Sequence, residues 1–524
     1  MTYTLTTPLY YVNDKPHLGS AYTTLACDAL ARYQRLIGER VVLVTGCDEH
    51  GLKIQRTAEA AGLTPQAHCD AVSAQYQDLW KRWRISNDRF IRTTDPRHHS
   101  LVEQFFRRVE SAGDVVEGRQ QGWYCVACEE FKDDAHEADD PECPIHRRPL
   151  EWRDERNLFF RLSRYQGAIE ALIAQPGFIS PASRRREVEN FVGQGLRDFS
   201  ISRLNLPWGI PVPGHPDHTF YVWFDALLGY LTALLEPGDP PDLELAVSRG
   251  WPARVHVIGK DILRFHAVYW PAMLLSAGLE PPCQVFGHGF LTREGQKMGK
   301  SLGNVLDPAV LLDQFGADAV RWYLLRDIAF GEDGDFQQQR FLDLVNNDLA
   351  NTIGNLLNRT SSMARRWFQE SVPPTVEGRS PEHPLALAAA EARQLVLEGM
   401  ARLDFRQAAE AALQLAIAAN GFLNTQTPWS RIKQEEERQS VADDLYAVLE
   451  ASRQVALLLA PLLPDLSARM MLQLQQQPLE SGVMADPAAA ATWLDQLRWG
   501  GLLSGLELPQ PEPVMARLEP IPSP

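Results

Sequence analysis

Apolar and polar positions repeat with two different periods along this chain, and the change of period divides it. Tyr3–Thr7 is a β-branched and aromatic run ending at Pro8, which predicts a first strand. Beyond a loop at Pro16–Gly19, Leu25, Ala29, Leu30, Tyr33 and Leu36 fall at helical spacing and predict a helix over 22–36. Arg40–Thr45, rich in Val and Leu, suits a strand buried on both faces. Strand, glycine-containing loop, helix, strand is the opening of a doubly wound sheet, whose ligands sit beyond the carboxyl ends of the strands. His17 and the segment Thr45-Gly-Cys-Asp-Glu-His-Gly51 fall there. Val255–Gly259 predicts another strand, with Lys260-Asp261 directly after it. Between 117 and 215 the texture changes to clustered cysteines, arginines and prolines, as expected of an insertion. The segments 341–367, 385–422 and 441–460 carry helical periodicity and predict an all-α carboxy-terminal domain. Six prolines in the last twenty residues predict an extended tail.

With 524 residues the chain has room for three or four domains. A net charge of −16 argues against binding nucleic acid through bulk charge, but local clusters such as Arg184-Arg185-Arg186 and Arg365-Arg366 leave a shaped RNA partner open. Met1–Pro8 lacks the basic and apolar regions of a signal peptide, and no stretch of about twenty apolar residues occurs. Seven cysteines, most of them unpaired in spacing, fit a reducing compartment, and the expectation is a cytoplasmic protein without a membrane anchor.

Two Cys-x-x-ligand knuckles, Cys125-Val-Ala-Cys128 and Cys143-Pro-Ile-His146, read as one tetrahedral Cys₃His zinc site. Four protein ligands leave no open position, so the ion is expected to be structural. Its binding could supply on the order of 10 kcal/mol to an insert too small for its own core.

Two short motifs carry the remaining chemistry. His17-Leu-Gly-Ser20 and Lys297-Met-Gly-Lys-Ser301 lie about one catalytic domain apart. His17 offers a neutral donor and Gly19 lets a backbone approach phosphates, while two lysines on a loop can close over charge developing on a leaving pyrophosphate. The pair resembles the ATP signatures of class I aminoacyl-tRNA synthetases.

Further segments make the resemblance specific: Thr7-Pro-Leu-Tyr-Tyr-Val-Asn-Asp-Lys-Pro-His-Leu-Gly19, Cys47-Asp-Glu-His-Gly51, Tyr124-Cys-Val-Ala-Cys128, Tyr221-Val-Trp-Phe-Asp-Ala226, Ile258-Gly-Lys-Asp-Ile262, Asn347-Asp-Leu-Ala-Asn351 and Gly354-Asn-Leu-Leu-Asn-Arg359. From Thr4 to about Pro464 the chain resembles the methionyl-tRNA synthetase family, bacterial type with one zinc knuckle. The resemblance implies an α/β fold: a Rossmann-type catalytic domain in two halves (1–116 and 216–290) split by the zinc-bearing connective insert (117–215). A linking domain with the lysine loop (291–345), a helical anticodon-binding bundle (346–505) and a tail (506–524) follow. It implies activation of L-methionine by Mg²⁺-ATP to methionyl-adenylate and transfer to initiator and elongator methionine tRNAs, with no DNA or membrane partner. The chain is expected to be a monomer.

Carried over residue by residue, the resemblance implies that Asp48 holds the substrate ammonium. Leu9, Tyr11, Trp223, Ala226, Tyr230, Ile262, Phe265 and His266 line the methionine pocket. His17, Gly19, Ser20, Gly259, Asp261, Lys297 and Lys300 serve ATP, with His17, Lys297 and Lys300 as the catalytic groups. Asn355, Arg359 and Trp429, the last in a loop, would read the anticodon. The chain departs from the family at Ser20, where a second histidine is usual, and at Gly299, where serine is usual. Three other readings have distinct signatures. A non-catalytic tRNA-binding relative would lack ATP–pyrophosphate exchange. A ligase with another acceptor would lack the anticodon domain. An isoleucine, valine, leucine or cysteine specificity would show in an amino-acid panel.

Overall fold

The computed structural model describes residues 2–126, 130–132, 141–143, 147–298, 304–483 and 492–519. The chain forms two compact units, one of residues 1–16, 42–82 and 87–288, the other of residues 17–41, 83–86 and 289–524.

The first unit is built on a six-stranded sheet. Its strands run Arg89–Arg92, Val41–Asp48, Tyr3–Tyr11, Val255–Gly259, Val285–His288 and Ile179–Ser180 in spatial order. The registered pairs are parallel: Leu5 lies opposite Val255, Val44 opposite Arg89, and His256 opposite Val285. The expected strands are all present, and the first two extend past the apolar runs to Tyr11 and Asp48. Strand order reverses between Tyr3–Tyr11 and Val255–Gly259, so a crevice opens beyond their carboxyl ends. The core on this sheet joins Val44, Phe105, Leu227, Leu231, Trp270 and Val285. Leu158, Phe160, Phe178 and Ile201, from the segment expected as an insert, pack into that same core.

The insert begins with a long antiparallel ribbon, Val115–Cys125 against Glu151–Phe160, paired from Val115–Phe160 to Tyr124–Glu151. Trp123 and Trp152 meet edge to face at its far end, with centroids 5.4 Å apart.

In the second unit the helix Leu18–Leu36 packs against the helix Ala317–Arg326. Their contact is polar at its centre: buried Asp28 accepts from Arg321 Nη1 (2.7 Å), Arg32 Nε (2.8 Å) and the Ser86 amide (2.7 Å). Arg321 Nε also donates to the Leu462 carbonyl at 2.6 Å. A buried carboxylate needs this many donors to offset its lost hydration.

The all-α part comprises the helices Asn355–Trp367, Pro384–Ala401, Phe405–Gln426, Arg438–Leu459 and Pro464–Gln473. The periodic stretch 385–422 is two helices: Leu403 takes a left-handed φ of 59°, and Asp404 caps the next helix through the Gln407 amide. The tail is a strap. Val372 and Leu508 amides bond the carbonyls of Leu506 and Glu370, and the Asn346 side chain bonds both backbone groups of Leu518. Among the described residues no helix is long and apolar enough to cross a membrane.

Candidate active site

The residues expected at the crevice of the first unit come from four parts of the chain. Leu9 and Tyr11 end the first strand, Asp48 ends the second, and Trp223, Ala226 and Tyr230 fall on the helix Val222–Thr232. Ile262, Phe265 and His266 come from the turns following Val255–Gly259. The helix residues and the turn residues meet directly. The Trp223 and Phe265 rings stack at 4.0 Å and 9°. Tyr230 lies 2.8 Å from His266 Nε2, and His266 Nδ1 lies 3.0 Å from the Ile262 carbonyl. A carbonyl only accepts, so Nδ1 carries the ring proton and the Tyr230 hydroxyl donates to Nε2. Burial pushes His266 down to about 4, against the pull of the Ile262 carbonyl, so this imidazole is uncharged at neutral pH. Leu9 reaches this helix because residue 229 is glycine: a Cβ there would stand 2.4 Å from Leu9 Cδ1.

Behind the slot lies His256, a polar residue within an apolar strand. It contacts Thr6 Oγ1 at 2.6 Å, and its ring lies 4.6 Å from that of Tyr230. Burial, with His266 nearby, holds it well below the usual histidine range.

Asp48 is buried at the end of its strand, and the loop that follows it is held from several sides. The Glu49 side chain accepts from Ser73, Thr94 and Arg92 (2.7 Å for the last), its carbonyl accepts from Trp208 Nε1 at 2.6 Å, and the Gly51 amide donates to the Trp208 carbonyl at 3.2 Å. His50 Nδ1 lies 2.6 Å from Asp225 Oδ2, and His98 Nε2 lies 2.7 Å from Asp225 Oδ1. Burial alone would raise the Asp225 carboxyl, but the two imidazoles hold it well below the usual carboxylate range. Sequence reading missed Glu49, His50, His98, Trp208, Asp225, Gly229 and His256. The signals were an acid inside an apolar helix and a histidine inside an apolar strand.

Gly259 is followed by exposed Asp261, whose Oδ1 would stand 2.5 Å from a Cβ at 259, so glycine makes room for the carboxylate. In the second unit His17 caps the helix Leu18–Leu36. Its Nδ1 accepts the Ser20 amide (3.2 Å), while Ser20 Oγ accepts the His17 amide (3.1 Å) and donates to its carbonyl (2.7 Å). Neutral His17 therefore carries its proton on Nε2. A Cβ at Gly19 would meet the His17 ring at 3.0 Å, so glycine lets the ring fold back over the turn. Ser20 is buried, its hydroxyl engaged in this cap. Lys297 closes a hairpin with Leu291–Arg293; Lys300 lies outside the described residues.

Asn355 opens the helix Asn355–Trp367 and is exposed; one turn on, the Arg359 guanidinium lies 5.8 Å from the centre of the Trp429 ring. Trp429, expected in a loop, sits in a one-turn helix, Pro428–Arg431, that starts after left-handed Thr427. Cys125 and Cys143 are buried in one small cluster with Leu150, while Cys128 and His146 lie outside the described residues. Among the described residues alone, no set of three potential metal ligands comes together.

A parallel sheet of this strand order, with its crevice beyond the strands' carboxyl ends, is the doubly wound, Rossmann-type architecture. Residues 3–143 and 134–361 match the family described as tRNA synthetases class I (M), and residues 372–509 match the anticodon binding domain of methionyl tRNA ligase. The chain is 52% identical to the methionine–tRNA ligase of a Synechocystis species over 99% of its length and 98% of the relative's. Against that of Thermosynechococcus vestitus it is 53% identical, covering 98% and 97%. A Mycobacterium tuberculosis methionyl-tRNA synthetase solved with methionyl-adenylate superposes with a TM-score of 0.90 at 39% identity, covering 98% of this chain and all of that one. The chain belongs to the methionyl-tRNA synthetase family.

Proposed function

We propose that the methionine–tRNA ligase activity of this family is performed here by the residues just described. One cluster carries this reading: Trp223 stacked on Phe265 and Tyr230 bonded to an uncharged His266, with Leu9, Ala226 and Ile262 completing an aromatic and apolar slot, Tyr11 at its rim and buried Asp48 for the ammonium. An unbranched thioether is polarizable and gains from aromatic contacts, and a neutral imidazole leaves no charge for it to desolvate. A methylene is worth only about 1–3 kcal/mol in an apolar slot, so selection depends on fixed walls.

ATP is served by the turn at His17, Gly19 and Ser20, by Gly259 and Asp261, and by Lys297 and Lys300. The helix end and the Nε2 proton of His17 suit a phosphate, Asp261 suits ribose hydroxyls, and the lysines meet charge forming on the departing pyrophosphate. Ser20 contributes by shaping the turn. Mg²⁺ enters with ATP as the substrate's counterion. The methionine carboxylate attacks the α-phosphorus in line, and the terminal tRNA ribose hydroxyl then takes the methionyl group. No covalent enzyme intermediate is needed, so the work is positioning and charge stabilisation. Asn355, Arg359 and Trp429 meet the anticodon.

Cys125, Cys128, Cys143 and His146 would hold one structural zinc; the burial of Cys125 and Cys143 in one cluster supports this, and with four protein ligands the ion would serve folding rather than chemistry. The protein acts as a cytoplasmic monomer.

ATP–pyrophosphate exchange across methionine, isoleucine, valine, leucine and cysteine tests the reading. Exchange with methionine alone, followed by charging of methionine tRNA, is the expected result. Charging-competent tRNA binding with no exchange would establish a non-catalytic relative instead. Metal analysis of the purified chain, expected to give one zinc that is lost in Cys125→Ser, tests the knuckle separately.

A further inference from the structure

Asp225 lies two residues after Trp223 and one before Ala226, on the helix that also presents Tyr230 to the slot. Its carboxylate is fully buried and faces no substrate group in the reading above. It accepts instead from His50, two residues beyond Asp48, and from His98 of the helix Pro96–Ser111. The other nitrogen of His98 contacts Thr232 Oγ1 at 2.9 Å, seven residues along the same face of the slot helix. The carboxylate thus ties the loop that holds the ammonium group to the helix that walls the side-chain channel.

We infer that Asp225 is a positioning residue: through His50 it fixes the distance between Asp48 and the walls at Trp223, Ala226 and Tyr230, and so sets which side-chain length the enzyme accepts. This deepens the methionine-slot reading and depends on it. A ruler of this kind must be stiff. Two charge-assisted bonds on one buried carboxylate, with Glu49 and Trp208 gripping the same loop, are stiffer than van der Waals packing alone. Loosening it should hurt methionine more than a longer analogue, because the correct length loses its fit while the longer one gains slack.

The test compares L-methionine with L-ethionine, one methylene longer, in pyrophosphate exchange by Asp225→Asn and His50→Gln. His50→Gln leaves Asp225 paired with His98 and so keeps the buried charge compensated; it serves as the informative variant if Asp225→Asn does not fold. Expected is a rise in KM for methionine with little change in kcat or in KM for ATP, and a shift of the ethionine-to-methionine ratio of kcat/KM of about tenfold toward ethionine. Equal loss for both amino acids in a folded variant would overturn the inference, leaving Asp225 a merely structural group. Ala226→Gly, which widens the slot directly, separates the two levels. If it relaxes the ratio and the ruler variants do not, the inference fails while the slot stands. If Ala226→Gly also leaves the ratio unchanged, the slot assignment fails and takes the inference with it.

Discussion

The proposed methionine slot and the Arg359–Trp429 surface are built on opposite rules. In the slot, Tyr230 and His266 are 2% and 1% exposed, and each polar atom is committed to a named partner. On the helical surface Trp429 is 38% exposed and is steadied by one cation–π contact. The difference fits the ligands proposed above for the two regions. A small amino acid differing from its competitors by a methylene or one atom must be measured against walls that do not yield. An unstacked base brings its own flat face, so an exposed ring beside a guanidinium suffices and can adapt. Rigidity is concentrated where discrimination is by shape.

The largest effect expected from breaking this contrast is in the slot. Asp48→Asn removes the charge facing the ammonium in a buried setting, a loss of about 3 kcal/mol or a hundredfold in kcat/KM for methionine. KM for ATP should stay within about threefold. Equal losses toward both substrates would move Asp48 out of the amino-acid site.

Next comes acid sensitivity, which the slot should show and the exposed surface should not. Folding holds His266 at about 4, below its ordinary 6.5. At neutral pH both folded and unfolded chains carry it uncharged. As pH falls below 6.5 the unfolded chain takes up a proton that the folded chain refuses, so stability drops until about pH 4. The single group accounts for about 3 kcal/mol of that decline. Urea unfolding of parent and His266→Gln at pH 7, 5.5 and 4.5 should show a shallower decline in the variant; parallel declines would refute the assignment.

Trp429→Ala should cost about 1–3 kcal/mol in tRNA charging while methionine-dependent exchange is kept. Parallel losses in both assays would make Trp429 structural. Arg359→Lys is the mildest: it keeps the charge but loses the planar group over the ring, about 0.5–1 kcal/mol in charging alone. An unchanged charging rate would show that the guanidinium plane is not used.

The legibility of these two regions in the sequence differs as well. The sheet could be read because Val255–Gly259 and Val41–Thr45 are apolar runs that only a buried strand explains, and the helices because their periodicity is long. The helix Leu18–Leu36 starts four residues before the predicted start at Tyr22, since its cap is a histidine folded back over glycine rather than the usual Ser, Thr or Asp. The break at Leu403 has no proline to announce it. The residues proposed for the slot were named through resemblance, because aromatic positions on an apolar helix otherwise look like core. The His50–Asp225–His98 arrangement was not reachable at all: its members stand 175 and 127 residues apart, and only the fold brings them together. At Ser20, where the resemblance expects a second histidine, the cap bond between the hydroxyl and the His17 carbonyl could not be read from the sequence.

The bond between Asp28 and Arg321 also has a consequence in time. Its partners are separated by 293 residues, and the carbonyl that holds Arg321 in place lies further on at Leu462. At about 5–20 residues per second, a ribosome that has just added Asp28 needs roughly 15–60 s to reach Arg321. The first long helix to be synthesised, Leu18–Leu36, can pair Asp28 with Arg32 one turn on, but it waits for most of the polypeptide before Arg321 completes the buried cluster. A nascent chain arrested before Leu462 should expose this helix to proteases even after the parallel sheet, complete by His288, has become resistant.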